Sequence, residues 1–224
     1  MREYANPSSA DPHFIETRHK DWFNGHSWAA GLFEFADNRN QESTSESVNS
    51  YYAVMLLGKA MKHTDMYNFG RLLLATEIRS VNYYWHMPSV SDIYPSDFKA
   101  KKMVGILWDV KADYATWFGA DPCFIHGIQM LPFTPITEEY LPYKFIKEEY
   151  PVVPRHCGAS DWDPYMTMDQ AIVDQSGAWS RAQGLNRFHN GLSKTNMLWW
   201  IATRPPPNRE ETEQTPETRT FLTE

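Results

Sequence analysis

The strongest constraint on the fold is a pair of long helical patterns that follow one another almost without a break. Over residues 43–62, Val48, Tyr51, Tyr52, Met55, Leu56 and Lys59 recur at three- and four-residue intervals, the period of one helix face. Asn40 or Ser43 can cap the start, because short polar side chains accept from the free amides of a first turn. Residues 66–85 repeat the pattern, with Phe69, Leu72, Leu73, Thr76, Ile78 and Tyr83 on the apolar side. Further helices are expected over 25–35, 137–149, 164–183 and 193–203, and one short strand over 103–108. The fold class is therefore mainly α. Between the helices run long connections rich in Pro, Asp and aromatic residues, at 86–98 and 150–163. Connections of that length in a compact domain are usually functional.

Composition narrows the function classes. A chain of 224 residues can form one large domain or two small ones. Cys123 and Cys157 are its only cysteines, too few for a disulfide-stapled mini-protein. They can pair in an oxidising compartment, but their spacing does not decide it. No run approaches the roughly 18 apolar residues of a membrane-spanning helix, and a net charge of −7 argues against a nucleic-acid partner. Aromatic residues make up 15% of the chain, yet the mean hydropathy is −0.56. Many amphipathic rings with little aliphatic filler suit a polar, ring-lined cleft as well as a dry core. Residues 1–7 contain no apolar signal-peptide region, so the chain is expected to be intracellular or to begin partway through something larger. Residues 204–224, rich in Pro, Glu and Thr without a periodic apolar face, are expected to form a disordered tail.

The densest polar constellation is Asp21-Trp22-Phe23-Asn24-Gly25-His26-Ser27-Trp28, followed by Gln41-Glu42-Ser43-Thr44-Ser45-Glu46. On a helix, Glu42 and Glu46 would share one face. Confined in a cleft, two such carboxyls push one pKa upward, which suits a general base near neutral pH. On a solvated first turn, the same acids would simply answer the helix dipole. His26 beside Trp28 reads either as a hydrogen-bonded structural residue or as part of a site. His19, Asp21, His26, Glu42 and Glu46 match no familiar zinc spacing, so no metal is expected. No Gly-x-Ser-x-Gly elbow and no Gly-rich phosphate loop occurs, which argues against a serine nucleophile and a nucleotide enzyme. No cofactor is expected. Trp85-His86, Trp108-Asp109, Trp117-Phe118 and His126-Gly127-Ile128-Gln129 place rings beside polar groups. That pairing suits sugars, whose C–H faces stack on rings while hydroxyls take the polar atoms; the remaining rings are core. Two carboxylates beside such a cleft suggest glycoside hydrolysis, where an acid and a base flank the scissile bond.

Longer motifs carry a resemblance. Arg18-His19-Lys20-Asp21-Trp22-Phe23-Asn24-Gly25-His26-Ser27-Trp28-Ala29 and Asn40-Gln41-Glu42-Ser43-Thr44-Ser45-Glu46 resemble the glycoside hydrolase family 81 endo-β-1,3-glucanases. So do Asp113-Tyr114-Ala115-Thr116-Trp117-Phe118-Gly119, Ile125-His126-Gly127-Ile128-Gln129-Met130-Leu131-Pro132 and Ser193-Lys194-Thr195-Asn196. The likeness covers residues 11–203. It implies an inverting enzyme that cuts within β-1,3-glucan, and a domain over 1–203 forming the C-terminal portion of an (α/α)6 toroid with long aromatic-rich loops. It assigns the general base to Glu42 with Glu46 in support, and Asp21 to positioning substrate or water. His26, Trp28, Asn24, Tyr51, Trp85, His86, Trp108, Asp109, His126 and Gln129 would bind the glucan. The family's general acid lies in an upstream Asp-His-His-Phe-His-Tyr-Gly-Tyr segment, and the nearest text here, Asp11-Pro12-His13-Phe14, lacks its partners. The isolated chain is therefore expected to hold the base side of the site and to show little or no activity. The alternatives are a non-catalytic β-glucan-binding relative, or a product in which Met1 is an internal methionine of a longer enzyme. The full-length enzyme is expected outside the cell or on its wall.

Overall fold

In a computed structural model, the described residues are 2, 5, 6, 8–30, 35–154, 157, 158 and 160–205. Strand β1, Asn40–Gln41, leads directly into helix α1, Thr44–Ala60. Ser43 is the N-cap, its hydroxyl accepting from the Glu46 amide. Helix α2, Thr64–Ser80, starts at His63, whose ring accepts from the Met66 amide, and ends in a π-helical turn, Val81–Trp85. Both helices form where the apolar periodicity places them, and at α1 Ser43, one of the two expected caps, agrees. They form a hairpin whose backbones nearly touch at two glycines. A Cβ on Gly58 would lie 2.4 Å from the Tyr67 nitrogen, and one on Gly70 2.5 Å from that of Met55.

A short helix α3, Ser96–Lys99, precedes strands β2, Ile106–Trp108, and β3, Ala112–Asp113. The strands form an antiparallel sheet in the order β1-β2-β3, with Asn40 opposite Trp108 and Gln41 opposite Leu107. This register brings the end of β1, and hence Glu42, against the chain beyond residue 103. Six further helices follow: α4, Pro122–Gly127; α5, Thr137–Tyr140; α6, Tyr143–Glu149; α7, Asp163–Val173; α8, Gln175–Ala182; and α9, Lys194–Ala202. Trp85, Phe133, Tyr140, Tyr165 and Trp200 are fully buried and belong to one continuous core. Cys123 and Cys157 form a disulfide, tying α4 to the connection before α7. Among the described residues, no helix is long and apolar enough to cross a membrane.

Four expectations change. The helix over 25–35 does not form in its described part. Instead Lys20 and Ser27 pair across a turn in which Gly25 takes φ 82°, a left-handed conformation that favours glycine. The helix over 137–149 breaks at Leu141-Pro142, because proline has no N–H to continue the ladder and becomes the N-cap position of α6. That over 164–183 breaks at Asp174, whose carboxylate accepts from the Gly177 amide and starts α8. The strand over 103–108 shortens to 106–108, Met103 making only an isolated bridge to His86. Of the expected tail, residues 206–224 lie outside the described residues.

Candidate active site

A cleft of about 810 Å³ opens beside the N-terminus of α1. Glu42, Glu46 and Tyr51 line it, with Asn40 and Gln41 from β1 and Trp117 from the loop after β3. Glu42 lies one residue before the N-cap and so is not on the helix, contrary to the one-face expectation. Glu46 is in the first turn of α1 and exposed. The two acids still meet the same cavity. Burial raises the Glu42 carboxyl above its ordinary value; the Trp117 amide, donating to its Oε2 at 3.2 Å, opposes that rise, and the charge of Glu46 adds to it.

The seat of Glu42 is built from behind by Gln129, which is fully buried. Gln129 Nε2 donates to the Glu42 carbonyl at 2.7 Å and to that of Gly105 at 2.9 Å. Its Oε1 accepts from the Thr44 amide at 3.0 Å and the Thr44 hydroxyl at 2.8 Å. The Ser43 hydroxyl donates to the Ile128 carbonyl at 2.8 Å, and that of Ser45 to Leu131 at 2.5 Å. Residues 128–131 thus grip residues 42–45 along their length.

Asp21 does not line the cleft and closes its own turn. It accepts from the Phe23 and Asn24 amides at 2.9 and 3.1 Å and from Trp28 Nε1 at 3.1 Å. Burial favours its neutral form, but these hydrogen bonds and the Arg39 charge outweigh burial and hold its pKa below the ordinary value. Asn24 is half-buried, its side chain on Asp21 and its carbonyl accepting from Ser80. Trp28 is buried, with the Arg39 guanidinium 4.9 Å above its ring.

His26 is buried against Trp28 and Trp85, its Nδ1 against the Ser27 carbonyl at 2.8 Å, and burial depresses its pKa. Trp85 is fully buried, and His86 stacks on Phe145 at 3.8 Å, its pKa lowered by burial to about 3. His126 is fully buried between Tyr114 and Glu149. These four rings, like Gln129, present no free face to the cleft. Trp108 is half-buried, 5.3 Å from Trp117 and 6.0 Å from Phe35. Asp109 is exposed and pairs with Arg39 at 3.4 Å.

Sequence reasoning missed Phe35, Asn40, Gln41 and Ser47 as cleft residues, and the Trp117 amide as the donor on Glu42. Asn40 and Gln41 stood inside the quoted motif; their place beside Glu42 was the available signal. Glu77 was also missed: fully buried, it accepts from Lys20 at 2.9 Å, Ser47 at 2.6 Å and the Ser27 amide at 3.0 Å. It pins the Lys20–Ser27 turn to the helical hairpin. Among the described residues, no group of three or more His, Cys, Asp or Glu side chains is placed to hold a metal ion.

A helical domain with a carboxylate pair in a ring-edged cleft has the character of a glycoside hydrolase, and the comparisons agree. The family described as glycosyl hydrolase family 81 C-terminal domain matches residues 1–201, and the chain belongs to that family. A glucan endo-1,3-beta-D-glucosidase of Glycine max is 36% identical over 189 residues, covering 80% of this chain and 28% of the relative. Glucan endo-1,3-beta-D-glucosidase 2 of Saccharomyces cerevisiae is 32% identical over 205 residues, covering 89% and 26%. A solved glycoside hydrolase family 81 structure from Clostridium thermocellum superposes with a TM-score of 0.78 at 29% identity, over 89% of this chain and 28% of that one. The chain thus spans about a quarter of the length of these relatives. Its fold is mainly α, of the toroid type that this structural match represents.

Proposed function

We propose that this chain carries the general-base side of an endo-acting, inverting β-1,3-glucanase site, with Glu42 as the base. The observation that carries this is the seat of Glu42: half-buried, raised in pKa, gripped through its backbone and fixed at its carboxylate by the Trp117 amide. A base works best when its pKa lies near the working pH and its geometry is fixed. Glu46 supports it by charge. Trp117 and Phe35 are the exposed rings of the cleft lining and are assigned to sugar faces, while Tyr51, Asn40 and Gln41 are buried in its wall. Asp21, held ionised in its own turn with Trp28 and Arg39 as partners, acts on the site by holding that turn beside the cleft residues Ser27 and Ala29.

In an inverting reaction one carboxylic acid protonates the leaving oxygen while a carboxylate activates water on the opposite sugar face. The reading assigns the acid to a carboxyl other than Glu42 and Asp21, in the aspartate segment that the family resemblance places upstream. The 224-residue chain alone then binds laminarin but turns it over slowly or not at all. The names of the relatives support the substrate; the Cys123–Cys157 disulfide supports an oxidising, extracellular or wall-associated setting.

The test is release of reducing ends from laminarin by the purified chain and by its Glu42→Gln variant, with product anomers followed by NMR. Binding without turnover is the expected result. Inverted product that disappears in Glu42→Gln would uphold the base and overturn the inactivity of the lone chain. Hydrolysis indifferent to Glu42→Gln would overturn the base itself.

A further inference from the structure

We propose that Gln129 is a positioning residue for Glu42, setting where its carboxylate stands, and not a residue that contacts glucan. The inference rests on the reading of Glu42 as the base. Gln129 is fully buried, so it has no route to a sugar. An amide side chain has two donor hydrogens and an acceptor oxygen with two lone pairs. All four are used here, and the partners are not scattered. Two belong to Thr44 and one to Glu42, either side of the N-cap Ser43; the fourth is the Gly105 carbonyl beside β2.

One side chain therefore joins three separate pieces of chain at the point where Glu42 leaves β1 and α1 begins. Gln129 is itself fixed, its amide donating to the His126 carbonyl at 3.1 Å. The other end of Glu42 is held by Trp117, so backbone and carboxylate are anchored independently. Glu46 has no such seat: its amide is capped by Ser43, and its side chain is exposed. This difference picks Glu42 over its neighbour as the carboxylate whose location is specified. Misplacing a catalytic group by about 1 Å from a distant change can cost on the order of 100-fold in rate.

The experiment follows the Glu42 carboxyl directly, by NMR titration of a glutamate-labelled chain, so that it reads out with or without turnover. Gln129→Met removes all four hydrogen bonds. Gln129→Asn, one methylene shorter, keeps the polarity but withdraws the amide from the Glu42 carbonyl, and serves if the methionine variant does not fold. Thr44→Val is the control: it removes one hydrogen bond to the same amide and leaves the donor on Glu42 in place.

Either Gln129 variant is expected to lower the Glu42 titration midpoint toward the ordinary glutamate range, with Glu46 unmoved. Thr44→Val is expected to lower thermal stability without moving Glu42. Where the chain hydrolyses laminarin, kcat should fall roughly 10- to 100-fold with KM within about twofold. A folded Gln129 variant that titrates like the native chain overturns the proposal, as does Thr44→Val moving Glu42 equally. If Gln129 variants move Glu42 while Glu42→Gln leaves hydrolysis intact, the base assignment fails and the catalytic meaning of the clamp falls with it, although its geometry stands.

Discussion

His126 Nδ1 and Glu149 Oε1 meet at 2.5 Å inside the protein, with both side chains fully buried. Asp169, on α7, faces the same glutamate. No hydrogen-bond donor reaches its oxygens among the described residues, so a proton on one of the two carboxyls is what lets them coexist. On the remaining side, the Tyr114 hydroxyl lies 3.0 Å from His126 Nε2; burial pushes its pKa up to about 12, and the charges of Glu149 and Asp121 add to the rise. Lys101 lies 4.7 Å above the Tyr114 ring. Burial raises Glu149 to about 8 and Asp169 well above its ordinary value, the neighbouring Glu149 charge adding to the latter. Burial lowers His126 to about 3. In so dry a place a neutral imidazole beside a neutral acid is favoured over the ion pair.

The pH dependence of stability follows from these directions. The raised carboxyls share a proton in the folded protein that the unfolded chain releases above its own pKa of about 4. Their contribution is complete below that value and is lost as pH rises through about 8. His126 acts oppositely, costing stability as pH falls below the unfolded value of about 6.5. Thermal melts should therefore show Tm rising from pH 8.5 to 6.5 and falling again below, where His26 and His86, also depressed by burial, add to the cost of His126. Asp169→Asn should shrink the slope. A Tm independent of pH over that interval in the native chain would remove the buried-proton account.

Glu46→Gln should make Glu42 easier to ionise, because it deletes a like charge that helps raise the Glu42 carboxyl. A base is active when deprotonated, so the acid limb of the rate profile should move to lower pH. The same displacement should appear in a direct carboxyl titration. An acid limb that moves upward, or stays in place, would show that the two carboxyls do not sense each other.

Two glycines, Gly70 inside the helical hairpin and Gly184 just after α8, should answer an added methyl oppositely. In Gly70→Ala the new methyl meets the Met55 backbone at 2.5 Å, and backbone cannot rotate aside. Overpacking of this kind costs about 1–3 kcal/mol. A Cβ on Gly184 would have nothing nearer than the Arg181 carbonyl at 3.8 Å, so Gly184→Ala should be neutral or slightly stabilising. Chemical denaturation of the two variants distinguishes them; equal stabilities would contradict the close approach.

Opening the Cys123–Cys157 bond should destabilise the chain. It closes a loop of 34 residues, for which loop entropy gives about 4 kcal/mol, or a Tm lower by roughly 10 °C. Melts with and without a reductant, beside a Cys123→Ser/Cys157→Ser variant, measure it. Since the bond anchors α4, whose end leads into Gln129, the reduced chain should also lose part of the Glu42 shift.

Local chemistry was what the sequence displayed best. Ser43 announced α1, and the apolar rows of 43–62 and 66–85 announced the hairpin. Pro142 and the Asp174–Gly177 pair were equally visible, and each broke a helix that periodicity alone had run through. Over 25–30, Trp28 and its neighbours had the density of a buried helix face, but Gly25 and Asp21 impose a turn. The candidate site was legible where it is contiguous: Glu42 and Glu46 stand in one motif and meet one cleft. Which rings face that cleft was not legible. Trp85 and Trp117 look alike in sequence; one ends 0% and the other 54% exposed, because strand register and helix packing decide the outcome. Gln129 reads as a sugar ligand by residue type, and only its burial among four partners assigns it another place.

The α1–α2 hairpin leaves the Glu42 clamp and comes back to it, and its tip at Met61, Lys62 and His63 is exposed. Everything that grips Glu42 comes from residues 105–131, beyond this detour. A protease cut at the tip would therefore yield two fragments still held by the close-packed hairpin, with the carboxylate's seat entire. Engineers wishing to splice in a reporter, or to rejoin the chain in a permuted order, have in this tip a place remote from the cleft.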